Sequence, residues 1–92
     1  MKKETKDNLH VILNNGEIDK ARQVLMSLIT EDADDDELHY MMGNVWAKTN
    51  DWQKALESYN QALELNPESP ASEAKEMIMD ILVFFDKERY NV

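Results

Sequence analysis

Sliding the sequence against itself until Lys20-Ala21 falls on Lys54-Ala55 brings like onto like. Ile18 then falls on Trp52, Leu25 on Tyr59, Leu28 on Ala62 and Ala33 on Pro67. A repeat of this length, about 34 residues, is one supersecondary unit, too small to bury its own hydrophobic face. Neighbouring units must therefore stack, each touching only the next. The 92 residues hold two such units and a remainder, which excludes a multi-domain enzyme.

The repeating unit is helical. Two glycines and two prolines leave little material for turns between strands. Apolar residues recur at three- and four-residue spacing. Leu9, Ile12 and Leu13 mark one helix, Ile18, Ala21, Leu25 and Leu28 a second, and Leu38, Met42, Val45 and Trp46 a third. Trp52, Ala55, Leu56, Tyr59, Ala62 and Leu63 mark a fourth. Asn14-Asn15-Gly16 and Asn50-Asp51 supply residues that tolerate the left-handed conformation ending a helix. Asp34-Asp35-Asp36 caps a helix start, and Asn66-Pro67-Glu68-Ser69-Pro70 closes one helix and opens another. The expected helices span 3–14, 17–30, 36–49, 51–65 and 70–88.

Within residues 36–69, the series His39-x2-Met42-Gly43-x2-Trp46, then Ala55-x3-Tyr59, then Pro67, resembles the tetratricopeptide repeat family. Its pattern is W-x2-L-G-x2-Y, A-x3-F and P. Only His39 is a poor substitute. Gly43 and Ala55 are small enough for two antiparallel helices to approach closely, with Trp46, Trp52 and Tyr59 filling the space beside them. Residues 2–35 form a weaker copy. Leu9 sits where the glycine belongs and should push that helix pair apart or change its crossing angle, and Ala33 replaces the proline. In the third unit, Ala74, Met77, Ile78 and Ile81 fit only if Pro70 counts as one inserted residue. The resemblance implies an all-α fold: one domain over 1–92, a short right-handed α-solenoid of five antiparallel helices, two helix-turn-helix repeats plus a C-terminal helix.

The same resemblance implies a non-catalytic protein–protein interaction module. The first helix of each pair lines a concave groove for an extended peptide or a partner helix. The groove candidates are Lys3, Lys6 and His10, then Glu37, Tyr40, Met41, Asn44 and Lys48, then Lys75 and Met79. A family subclass clamps chaperone C-terminal carboxylates with five Lys, Asn and Arg residues. Lys6 is the single match here, since His10 and Met41 stand where asparagines are needed, so chaperone-tail binding is not expected. The fifth helix is apolar almost all round, through Met77, Ile78, Met79, Ile81, Leu82, Val83, Phe84 and Phe85. Met79, Val83 and Phe84 are its candidates for contact with a partner or a second copy. The alternative function is a structural homodimer whose groove is unused or self-occupied.

Ten Lys and Arg against 19 Asp and Glu give a net charge of −9. Binding to nucleic acid or anionic membrane draws on the opposite sign. Six of the acids lie in residues 31–37, so the acidity belongs largely to one turn and helix start. In that segment Asp32, Asp34 and Asp36 have the first three spacings of a calcium loop, but Glu37 and Gly43 occupy the places that need Gly and Glu. Neither His10 nor His39 lies in a helical metal pair, and no glycine-rich elbow or phosphate loop surrounds any serine. The absence of cysteine removes thiol chemistry. These features predict no enzyme activity, no metal and no cofactor. A cytoplasmic location is expected, because the longest nearly apolar run, Met77 to Phe85, is too short to span a bilayer.

Overall fold

The structure, a computed structural model, describes residues 2–90, with side chains described through Phe84. Phe85 lies outside the described side chains. Five helices follow one another: α1 (Lys3–Asn14), α2 (Ile18–Glu31), α3 (Asp36–Lys48), α4 (Trp52–Leu65) and α5 (Ala71–Tyr90). Each packs chiefly on its neighbour in the chain, and α3 and α4 make by far the closest pair. The result is an all-α solenoid, with helix limits within two residues of those expected.

Local chemistry sets the helix ends. Gly16 (φ +77°) and Asn50 (φ +61°), at matching places in the two repeats, adopt the left-handed conformation. At the first turn Glu17 N–H donates to Ile12 O (3.1 Å) and Gly16 N–H to Leu13 O (3.0 Å). At the second, Asp51 N–H donates to Trp46 O (3.0 Å) and Asn50 N–H to Ala47 O (3.1 Å). Both pairs satisfy the last carbonyls of a helix in the Schellman manner. Asp35 accepts from Glu37 N–H (3.0 Å) and Asp51 from Lys54 N–H (3.2 Å), capping α3 and α4. The Ser69 hydroxyl oxygen accepts from Ala71 N–H (3.1 Å) at the entry to α5.

Two apolar clusters form the core. Leu9, Ala21, Leu25, Leu38, Met41, Met42 and Val45 join α1, α2 and α3, while Ala55, Tyr59, Ala62, Ala71 and Ile78 join α4 and α5. Tyr40 and Trp46 pack against both. Gly43 permits the close α3–α4 approach: a Cβ there would stand 2.5 Å from Cδ1 of Tyr59 and closer still to its Cε1. Trp46 is flanked by Arg22 of α2 (4.9 Å from the ring centroid) and Lys54 of α4 (4.6 Å).

Helix α5 departs from the expected register. Met77, expected inward, is 68% exposed. The buried stripe runs instead through Ala71, Ala74, Ile78 and Leu82. In rotation, Ala71 and Ile78 correspond to Leu38 and Val45 of α3, whereas the expected register set Met77 on Met42. Ala71, whose N–H donates to buried Ser69, packs in the cluster with Ala55, Tyr59 and Ala62 of α4 and begins this stripe. The other side of α5 leaves Met77, Met79, Val83 and Phe84 exposed. Among the described residues no helix is long and apolar enough to cross a membrane.

Candidate functional site

A cleft of about 460 Å³ opens on the side where α1 and α3 run next to each other. Lys6, His10 and Leu13 of α1 form one wall, and Asp36, Glu37, Tyr40, Met41 and Asn44 of α3 line the next. Asn66, Ser69 and Pro70, in the turn between α4 and α5, close the far side. Helical spacing explains the α3 wall, since residues 37, 40, 41 and 44 lie on one face at three- and four-residue intervals.

The cleft is held in shape by polar contacts around its rim. Lys6 Nζ lies 3.3 Å from Glu37 Oε2 and ties α1 to α3. Both side chains are about half exposed, so the pair contributes at most about 1 kcal/mol and serves mainly to set geometry. Asn66 Nδ2 donates to Asp36 Oδ2 (3.2 Å), and Asn66 Oδ1 accepts from Glu68 N–H (3.1 Å), so the far wall is bound to the start of α3.

Beneath the floor sits Tyr59. Its hydroxyl donates to Asn44 Oδ1 at 2.6 Å, and its ring centroid is 6.0 Å from that of Tyr40, with the planes tilted by 38°. Burial, with a smaller contribution from Tyr40, pushes the Tyr59 phenol up to about 12. It therefore stays a hydrogen-bond donor at every physiological pH. Because Asn44 spends its carbonyl oxygen on Tyr59, its NH2 group is the end left to donate to a ligand.

Six of the sequence-predicted groove residues, Lys6, His10, Glu37, Tyr40, Met41 and Asn44, line this one cleft. Met41 was expected at the surface of the groove, but it is 5% exposed and belongs to the core, so it contributes only apolar floor. Lys48 is exposed at the end of α3 and does not line the cleft, and neither does Lys3. Lys75 and Met79 lie away from it, in a separate trough between α4 and α5, because the turned α5 presents them there. His39, the poor substitute in the repeat pattern, donates from Nε2 to the Ala33 carbonyl (2.9 Å) and braces the α2–α3 turn. Sequence reasoning missed Leu13, Asp36, Asn66, Ser69 and Pro70. The Asn66–Pro70 turn was legible as a helix break, but its return to the mouth of the cleft was not.

A stack of antiparallel helix pairs with a cleft lined by alternate helices is the architecture of a helical-repeat binding scaffold. The tetratricopeptide repeat model matches residues 36–69. The Bacteroides fragilis protein BF1650, whose solution structure was determined by NMR, is 46% identical. It covers 98% of this chain and 91% of its own, with a TM-score of 0.81. A double mutant of MamA from RS-1 is 25% identical over 87% of this chain and 46% of its own, with a TM-score of 0.78. No functionally curated protein matches the chain. The chain belongs to the tetratricopeptide repeat family, whose fold is a non-catalytic protein-interaction fold.

Proposed function

We propose that this protein binds an extended peptide segment of a partner protein in the α1–α3 cleft. The observation that carries this reading is the cleft itself: an apolar floor of Leu13, Tyr40 and Met41, ringed by Lys6, His10, Glu37 and Asn44. Tyr40 offers a large face at low conformational cost, and Asn44, oriented by Tyr59, offers its amide N–H to a backbone carbonyl. Asp36 and the Lys6–Glu37 pair put charged groups at the rim, beside the apolar floor rather than in it. The proposed role needs no cofactor.

The test is selection of peptides from a random display library on the wild-type protein, followed by titration against single variants. Tyr40→Ala and Asn44→Ala are each expected to weaken the selected peptides by about tenfold or more. Peptides that bind both variants as tightly as the wild type lie elsewhere and refute the cleft as the site. A second reading, self-association through Met79, Val83 and Phe84, is favoured by the exposure of all three on one helix. Sedimentation showing only monomer at high micromolar concentration removes it.

A further inference from the structure

The outward side of α5 carries an inference independent of the cleft. In α3, the residues that meet α4 are Tyr40, Gly43, Asn44, Trp46 and Ala47. In the observed rotational register their counterparts on α5 are Glu73, Glu76, Met77, Met79 and Asp80, and every one of these is exposed. The α5 face that corresponds to the α4-covered face of α3 is thus bare. Beside it a trough opens between α4 and α5, with Leu63 and Met79 as its apolar part and Ser72, Lys75, Glu76 and Asp80 as its polar part.

The chemistry of this face differs from that of its counterpart. Gly43 admits the ring of Tyr59, whereas Glu76 stands in the corresponding place and presents a carboxylate. A covering helix that buried Glu76 without a cation would leave an uncompensated charge, which is strongly unfavourable. Glu73, Glu76 and Asp80 lie at i, i+3 and i+7 and make no ion pair among the described residues. We infer that the α4–α5 trough docks an antiparallel amphipathic helix of a partner protein. That helix places Lys or Arg at i, i+4 and i+7 opposite the three acids and apolar side chains against Leu63, Met77 and Met79. It covers α5 as α4 covers α3.

A second copy of this chain is a poor occupant. A symmetric α5–α5 contact sets the three acids against their own copies. The basic residues of α1 among the described residues do not supply a matching cationic stripe, since Lys6 is already on Glu37 and lines the cleft.

The probe is a synthetic helix-stapled peptide with Lys at i, i+4 and i+7 beside a leucine stripe, titrated against the protein by fluorescence anisotropy. A matched peptide with Glu at those positions is the comparison. The wild type is expected to prefer the Lys peptide by about tenfold or more, and Glu73→Lys/Glu76→Lys/Asp80→Lys to reverse that preference. Met79→Asp is expected to abolish binding of the Lys peptide, and Tyr40→Ala to leave it intact. The inference is overturned if Glu31→Lys/Asp32→Lys/Asp34→Lys, with the same change in net charge, weakens binding equally. It is also overturned if Met79→Asp has no effect, or if Tyr40→Ala removes binding and so places the peptide in the cleft. Peptide-free sedimentation showing a dimer that Met79→Asp dissolves makes a second copy the occupant and likewise refutes it. Circular dichroism of each variant confirms that the helices are intact.

Discussion

The two repeats, residues 2–35 and 36–69, share a register but solve the same packing problem differently. Where α3 and α4 cross, Gly43 lies against Tyr59, the smallest residue against a large ring. At the equivalent positions of the first repeat stand Leu9 and Leu25, both fully buried. A pair of medium side chains replaces a pair of extremes. The consequence is distance: α1 and α2 pack far more sparsely than α3 and α4. Capping follows the same division. Asp35 and Asp51 cap both helices of the second repeat, whereas Lys2 and Glu17, the N-cap residues of the first, make no side-chain cap. One repeat is a closely locked unit, and the other depends on being packed against it.

Imposing the second repeat's solution on the first should have the largest effect. Leu9→Gly moves the sequence toward the family pattern, yet it empties a fully buried site opposite Leu25. A loss of about 3–6 kcal/mol is expected in urea unfolding, from the cavity plus the helix-interior glycine. Adding Leu25→Tyr should recover part of it, because the ring refills the space. Failure of the pair to recover anything means that the spacing of α1 and α2 is set elsewhere.

The reverse substitution is next in size. Gly43→Ala puts a methyl group into the Tyr59 ring and should cost about 1–3 kcal/mol. In a Tyr59→Leu background the same change should cost much less. A double-mutant cycle with no coupling would show that the ring is not what excludes a Cβ.

Tyr59→Phe leaves the packing and removes the hydrogen bond to Asn44, with an expected loss of about 1 kcal/mol. It also carries a pH signature. The folded protein keeps the phenol proton up to about pH 12, against 10.0 for the ordinary phenol, so the folded state holds more protons between those values. Stability should be insensitive to this group below pH 10 and should fall as pH rises toward 12. The Tyr59→Phe variant should lack that component of the decline in alkaline unfolding curves.

The smallest effects test the caps. Asp51→Ala should cost about 1 kcal/mol. Glu17 has nearly the same backbone angles (φ −83°, ψ 67° against −89°, 79°), so Glu17→Asp should gain a comparable or smaller amount by supplying the missing cap. Thermal melts of the two variants should move in opposite directions.

Much of this architecture is local chemistry and can be read along the chain. Helix positions follow from apolar spacing, and the ends follow from residues that act within one turn of themselves: Gly16, Asn50, Asp35 and Asp51. The close approach at Gly43 was legible from its size, but its partner was not: Ala55 was expected beside it, and the ring of Tyr59 lies there. The α3 wall of the cleft was legible because helical period puts Glu37, Tyr40, Met41 and Asn44 together.

Tertiary structure decided the rest. How far a helix is rotated about its own axis is a property of the pair it belongs to. In α5 the apolar residues from Met77 to Phe84 fall on most sides of the helix, so they give little amphipathic signal to set that rotation. Packing on Ala55, Tyr59 and Ala62 of α4 takes Ala71 and Ile78 inward and leaves Met77 exposed, and in the same orientation Lys75 and Met79 lie away from the cleft. Met41 shows the complementary case. Its position on the helix was correct, but α1 and α2 cover it and make it floor rather than rim. The far wall, Asn66 to Pro70, reaches the cleft only because Asn66 bonds Asp36 across 30 residues of chain, a contact that no local pattern announces. The repeat period thus determined which helices form and which neighbours they meet, while the packing of each helix on the next determined which side chains remain available to a partner.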